Sequence, residues 1–265
     1  MARFLLPLIF FGIAAGAAVL AVPMLVRTPP RPPKLRPLFP EVPDDPSVKR
    51  VGTPELLARL ENLDGDAPEV KEFLSRGAEA RQAVLERLRG KTLPAGLMEH
   101  VDKLNLDPAD LLAIARDTAL PFESRGSAYF VLHPHRTPEV RAALQRAILE
   151  EENLHPLFGA VQAAGLQADS AYCEVLLERF EQEHGSSIEP PLLRALGQSR
   201  CMKALRPMEA RLTAFDAPVA ILLVGVKAAM QIEVTAGKRI GRRILDDRDD
   251  LPPKLHRAIK EEILK

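Results

Sequence analysis

Three of the six histidines, one spaced set of arginines and one acidic run are the side chains most able to do chemistry in this sequence. His133 and His135 flank Pro134, and His155 lies downstream; imidazoles gathered along one edge are metal ligands in principle. No Cys or acidic residue stands at ligand spacing from them, so they read as solvated rings in a turn and no metal is assigned. Asp246-Asp247-Arg248-Asp249-Asp250 has the charge to hold a cation or a basic partner. Acidic residues disfavour a helix C-terminus, so the run is read as the solvated loop that ends a helix. Gly90-Lys91-Thr92 matches the last three residues of a phosphate-binding loop, but the glycine required five positions before Gly90 is Leu85. G-x-S-x-G, H-E-x-x-H, C-x-x-C and G-x-G-x-x-G are all missing. The expectation is a protein with no catalytic residue and no cofactor.

Arg179, Arg211 and Arg243 recur every 32 residues, with Ala147 as the first member of the series. On stacked helices they would form a guanidinium ladder suited to carboxylates or phosphates. The structural alternative, which is preferred, is that they complement helix C-termini and pair with Glu of the adjacent unit.

The elements that would stack them follow from the same shift of 32. Ala128, Ala160, Leu192 and Val224 align, as do Tyr129, Val161, Leu193 and Gly225, then Leu132, Ala164, Leu196 and Ala228. These columns are an i, i+1, i+4 apolar stripe on a first helix. A turn follows, marked by His133-Pro134-His135, Gly165 and Gly197. A second helix carries Val140, Tyr172, Ala204 and Ala236, then Leu144, Leu176, Met208 and Ile240, then Ile148, Phe180, Leu212 and Ile244. Six columns in an ungapped register predict four helix-turn-helix repeats over residues 121–250. Such units cannot bury their apolar faces alone and must stack.

Ala160-Val161-Gln162-Ala163-Ala164-Gly165 and Leu192-Leu193-Arg194-Ala195-Leu196-Gly197 resemble the A-x-x-A-L-G pattern of HEAT-like repeats, especially the short type named after phycobilisome lyases. Ser124-Arg125-Gly126-Ser127-Ala128 is similar to the V-R-x-x-A run that begins that pattern. The resemblance covers about half the chain and implies an all-α fold, a right-handed α-solenoid. It is nearly silent on function, although some relatives of the fold are enzymes. Two features depart from it. The arginine at Arg125 becomes Leu157, Glu189 and Ile221 in later repeats, and Pro207 is expected to interrupt a second helix.

Residues 51–120 are helical in pattern but out of register, with Thr53-Pro54-Glu55 and Asp107-Pro108-Ala109-Asp110 as helix starts, and are read as a degenerate N-terminal cap. Residues 251–265 read as a C-terminal capping helix with Leu255, Ile259 and Ile263 on one face. Aromatics are few and no alternating β-branched run occurs, so no sheet is expected. Cys173 and Cys201 are too few for a disulfide framework and are taken as two ordinary thiols, able to pair only if the body is exported.

Residues 1–27 form an N-terminal membrane segment. Residues 4–26 carry no charged or strongly polar side chain, enough at ~1.5 Å per residue to cross a hydrocarbon core. Val19-Leu20-Ala21 leaves a cleaved signal peptide open, but apolar residues continue through Met24-Leu25-Val26, which favours a retained anchor. Arg27, Arg31, Lys34 and Arg36 outnumber Arg3 on the other flank, which favours a cytoplasmic body, with export as the alternative. Residues 28–50 are a spacer rich in proline, stiffened towards polyproline II.

Lys plus Arg equals Asp plus Glu, 36 each, so the chain lacks the electrostatic footprint of a general nucleic-acid binder. If the second helices line a concave face, its outward positions include Arg141, Arg146, Glu174, Glu178, Arg206, Glu209, Lys238 and Arg242, with Leu177 and Leu205 among them. A mixed-sign, partly apolar surface fits a protein partner. The expected function is a membrane-tethered scaffold for another protein. The alternatives are a HEAT-like enzyme or lyase-like cofactor handler, and a structural envelope spacer.

Overall fold

The computed structural model describes residues 51–265, so the expected membrane segment at 4–26 and the spacer at 28–50 lie outside the described residues. The described part is all-α, with no strand. It opens with α1 (Thr53–Arg59), α2 (Pro68–Ser75), α3 (Ala78–Leu88), α4 (Ala95–Met98) and α5 (Pro108–Arg116). The Asp107 carboxylate caps α5 by accepting from the Ala109 N–H at 2.8 Å. Thr53 does not cap α1 as its sequence context predicts. The helix begins one residue earlier, after Gly52, and the Thr53 hydroxyl instead donates to Glu79 at 2.9 Å and accepts from Arg76 at 3.0 Å.

Four helix pairs follow: α6 (Phe122–Val131) with α7 (Pro138–Glu150), α8 (Leu154–Gln167) with α9 (Cys173–Gln182), α10 (Glu189–Gln198) with α11 (Leu205–Leu212), and α12 (Val219–Ile232) with α13 (Val234–Asp247). The last helix is α14 (Pro253–Leu264). First helices pack in the order α6, α8, α10, α12, α14, and second helices in the order α5, α7, α9, α11, α13, with a 3-10 turn bridging α9 to α11. Each second helix also leans on the first helix of the next pair, as α7 does on α8 and α9 on α10. The six apolar columns are the interior of this arrangement. Leu144, Leu176, Met208 and Ile240 are fully buried, as are Ile148, Phe180, Leu212 and Ile244. Val224 alone among the column members is only half-buried.

Pro207 does not interrupt its helix. It is the third residue of α11, where a backbone N–H has no intrahelical acceptor and its loss costs nothing. The chain enters α9 and α11 alike through a 3-10 turn, Ser170–Tyr172 and Met202–Ala204, and that delays both helix starts. Ala168 and Arg200, 32 residues apart, both adopt the left-handed conformation, with φ of 51° at each. Two non-glycine residues accept this backbone strain at the same repeat position, so the two turns are built alike.

Small residues set how closely the first helices approach. A Cβ at Gly159 would collide with the Gly126 backbone, and one at Gly197 would come within 2.7 Å of the Ala228 Cα. Gly197→Val therefore destabilises the fold by about 2–3 kcal/mol through backbone displacement, read as a lowered midpoint in urea. Gly90→Ala, with nothing within 4 Å of the new methyl group, shifts it by less than about 0.5 kcal/mol. A Gly197→Val midpoint equal to wild type would disprove the close approach.

Candidate functional site

The second-helix row exposes two adjacent columns to solvent. Ala142, Glu174, Arg206 and Lys238 form one, and Arg146, Glu178, Ala210 and Arg242 form the other, one helical turn on. All are exposed except Lys238, which is half-buried. Leu177 and Leu205 are half-buried beside them. Two ion pairs on this surface are exposed to solvent, Glu174 with Lys203, and Arg146 with Glu150 at 3.8 Å. Arg141 is more engaged, 2.8 Å from Asp169 across the turn of the next pair. Glu209 accepts from Arg239 at 2.6 Å and lies 3.8 Å from Arg243, tying α11 to α13.

The three arginines of the 32-residue series hold three different positions. Arg179 is largely buried and donates to the Leu149 and Glu151 carbonyls at 3.2 and 3.1 Å, with Glu183 at 2.7 Å. It thereby covers orphan acceptors at the end of α7. Arg211 donates through Nε to Glu189 at 2.7 Å, and Glu189 is wholly buried. The second Glu189 oxygen accepts from the Gly185 N–H at 2.7 Å, which completes the shell of the buried carboxylate. Arg243 is exposed and spans Glu209 and Asp247. Its place at the loop is taken by buried Arg248, which donates to the Ala217 carbonyl at 3.2 Å and pairs with Asp250. Arg125 does the same at the first pair, donating to the Ala115 carbonyl at 3.0 Å and pairing with Glu151. Four arginines, three buried and Arg179 largely so, thus serve loops leading from a second helix to the next first helix. Of these four, the 32-residue spacing identifies Arg179 and Arg211.

The opposite ends of the helices are joined differently. The buried Gln167 amide donates to the His135 carbonyl of the preceding turn at 2.7 Å and accepts from the Tyr172 hydroxyl at 2.6 Å. Burial first, with Asp169 nearby, pushes the Tyr172 phenol up to about 12. Cys173 and Cys201 are not free thiols, contrary to the expectation. They are joined in a disulfide with a Cα–Cα separation of 5.1 Å. Their spacing of 28 residues becomes meaningful only once the turns stack, because Cys201 precedes its second helix and Cys173 starts the previous one.

The His133 Nδ1–H donates to the Phe130 carbonyl, 3.1 Å away, and His155 sits 3.8 Å from Glu123. His135 is pushed below its usual value, first by burial and then by His133. No cluster of three metal-ligating side chains occurs among the described residues. Gly90, Lys91 and Thr92 line an open groove of about 510 Å³, in which Arg87 pairs with Glu61 and donates to the Thr92 carbonyl. A second open groove of about 540 Å³ runs between α9 and α11 beside Arg206, His184 and Asp216. Among the described residues no helix is long and apolar enough to cross a membrane. Set beside known proteins, the chain matches no family model, no curated protein and no solved structure.

Arg211→Met leaves the Glu189 carboxylate buried without its countercharge and costs about 3–5 kcal/mol. Arg243→Ala, at an exposed pair, costs less than about 1 kcal/mol. Parallel chemical-denaturation curves test the contrast, and equal costs at the two positions would refute the distinction drawn between them.

Proposed function

We propose that this chain is a membrane-tethered scaffold. Residues 4–26 anchor it, residues 28–50 hold the body off the bilayer, and the helix pairs stack as a HEAT-like, right-handed α-solenoid whose second-helix row binds another protein. The observation that carries this reading is the outer surface of that row, where Arg146, Glu174, Glu178, Arg206 and Arg242 remain exposed with Leu177 and Leu205 half-buried among them. Charge of both signs around apolar contacts suits a protein surface, whereas a nucleic-acid backbone calls for one basic sign. The buried arginines and the inter-repeat pairs fix the helices beneath these side chains, so little conformational freedom is lost on binding.

For the side of the membrane, two features pull in opposite directions. The flanking charges favour a cytoplasmic body. The Cys173–Cys201 bond favours export, because a glutathione-buffered cytoplasm keeps thiols reduced. The covalent bond is the more specific signal, and we propose that the body lies on the oxidising side.

A reporter fused at Lys265 that matures only outside the cytoplasm is then active, and the native chain takes up a maleimide tag only after reduction. Reduction lowers stability by about 3–4 kcal/mol for a loop of 28 residues. Free thiols in freshly isolated membranes would return the body to the cytoplasm. For the scaffold itself, a photo-crosslinking residue in place of Ala210 gives protein adducts in native membranes, and one in place of exposed Gln82 on α3 gives none. Failure to find an adduct at Ala210 would end the scaffold reading.

A further inference from the structure

The four helix pairs present two edges of opposite character. At one edge first helices turn into second helices, over residues 133–141, 168–174, 199–206 and 233–239, and these turns hold seven basic side chains against four acidic ones. At the other, residues 150–153, 181–186, 213–218 and 246–250 lead out of second helices and hold ten acidic side chains against one arginine. That arginine, Arg248, is buried, and Arg125, Arg179 and Arg211 likewise turn inward to carbonyls and carboxylates. Carboxylates such as Glu150, Glu152, Glu181 and Asp216 are left facing solvent there.

The basic edge also exposes one large aliphatic side chain on each of three successive turns. Leu166 in the last turn of α8 is 45% exposed, Met202 ahead of α11 is 58% exposed, and Val234 at the start of α13 is 55% exposed. Exposed Arg200 and Lys203 flank Met202. The chain enters the body on this same side. The Val51 carbonyl accepts from Arg76 at 2.7 Å, at the corner between α2 and α3, and Arg81 of α3 borders one groove with His135 of the first turn. The far end of α3 borders Pro121 and Glu123 at the start of α6 instead.

We infer, on the footing of the membrane anchor proposed above, that the edge from Leu166 to Val234 rests on an anionic bilayer surface. Its aliphatic side chains enter the boundary between headgroups and acyl chains, and its cations stay with the phosphates. A protein partner calls for apolar contacts gathered in one core, whereas these stand on separate helix pairs about 10 Å apart. The same surface repels the carboxylates of the opposite edge, so the charge polarity of the body orients it. Residues 28–50 then limit how far the body lifts away, up to about 70 Å at ~3.1 Å per residue, while the edge fixes where it rests. The helices stand off the surface with both rows facing sideways, which leaves the second-helix row open to its partner.

The chain contains no tryptophan, so a single introduced indole reports its own depth. Met202→Trp, Val234→Trp and, on the acidic edge, Phe215→Trp are each made in the full chain; Phe215 is 90% exposed beside Asp216. Each is reconstituted in phosphatidylcholine vesicles holding about one-third phosphatidylglycerol, with or without brominated acyl chains. Bromination lowers emission from positions 202 and 234 at least about two-fold and leaves position 215 unchanged. In Met202→Trp, omitting phosphatidylglycerol restores the emission, and so does adding Arg200→Asp with Lys203→Glu. Aspartate is chosen at 200 because it tolerates the left-handed backbone there. Quenching at 202 or 234 no greater than at 215, or indifferent to the anionic lipid or to the charge reversal, overturns the edge. Alkaline carbonate extraction reads the anchor separately. A chain that resists extraction while 202 and 234 go unquenched keeps the anchor and loses the edge. A chain quenched before extraction and released by it keeps the edge and loses the anchor. A chain that never binds vesicles overturns both.

Discussion

Everything in this body depends on helices too short to be stable alone. The second helices α9 and α11 have ten and eight residues, lengths at which an isolated helix is marginal in water. Each gains its stability from apolar columns that touch the helix before it and the helix after it, so no pair is complete without its neighbours. This requirement explains the interior of leucine, isoleucine and alanine. It also explains the glycines on first helices, which let backbones approach until Gly126 meets Gly159 and Gly197 meets Ala228. Closer approach buries more apolar surface from helices that have little length to offer.

Stacking short helices multiplies helix ends, and each end carries carbonyls or N–H groups that need partners. The two ends of the body solve this with different chemistry. Where second helices lead into first helices, a buried guanidinium reaches carbonyls or a carboxylate of a neighbouring loop, as Arg125, Arg179, Arg211 and Arg248 do. Arginine suits this work because its planar fork serves several acceptors at once. Where first helices turn into second helices, the ties are an amide, a phenol and a disulfide, with left-handed residues at Ala168 and Arg200. The outer columns of the second helices, by contrast, keep charges such as Glu178 and Arg242 in solvent.

The period of 32 made the interior legible, because core positions in a stacked array repeat with the unit and leave a mark in every copy. Leu144, Leu176, Met208 and Ile240 need no structure to be recognised as equivalent. The ties between units were less legible because they join different repeat positions and occur once each. Glu189 looks like a charged residue ahead of two prolines, and only the fold shows it enclosed by Arg211 and the Gly185 N–H. The Cys173–Cys201 pairing escapes the sequence for the same reason. The tolerance of Pro207 escapes it for another: helix starts depend on the turn before them, and the delayed start of α11 moves the proline into the one turn that tolerates it. Most positions of the outer columns could be listed from sequence alone, but which of them are neighbours emerges only when the row order is known.

The disulfide has a consequence for how the body comes apart. Ties in this fold link units adjacent in sequence, so the array can open in segments, with the terminal helices fraying at lower free energy than the middle. The Cys173–Cys201 bond couples the second and third pairs covalently, and in doing so it fuses two potential unfolding units into one. Amide protons on α8 to α11 should then exchange together, as a single slow block, with faster layers on either side. The cross-link would act less as a staple on the whole than as a decision about where the chain's cooperative boundaries fall.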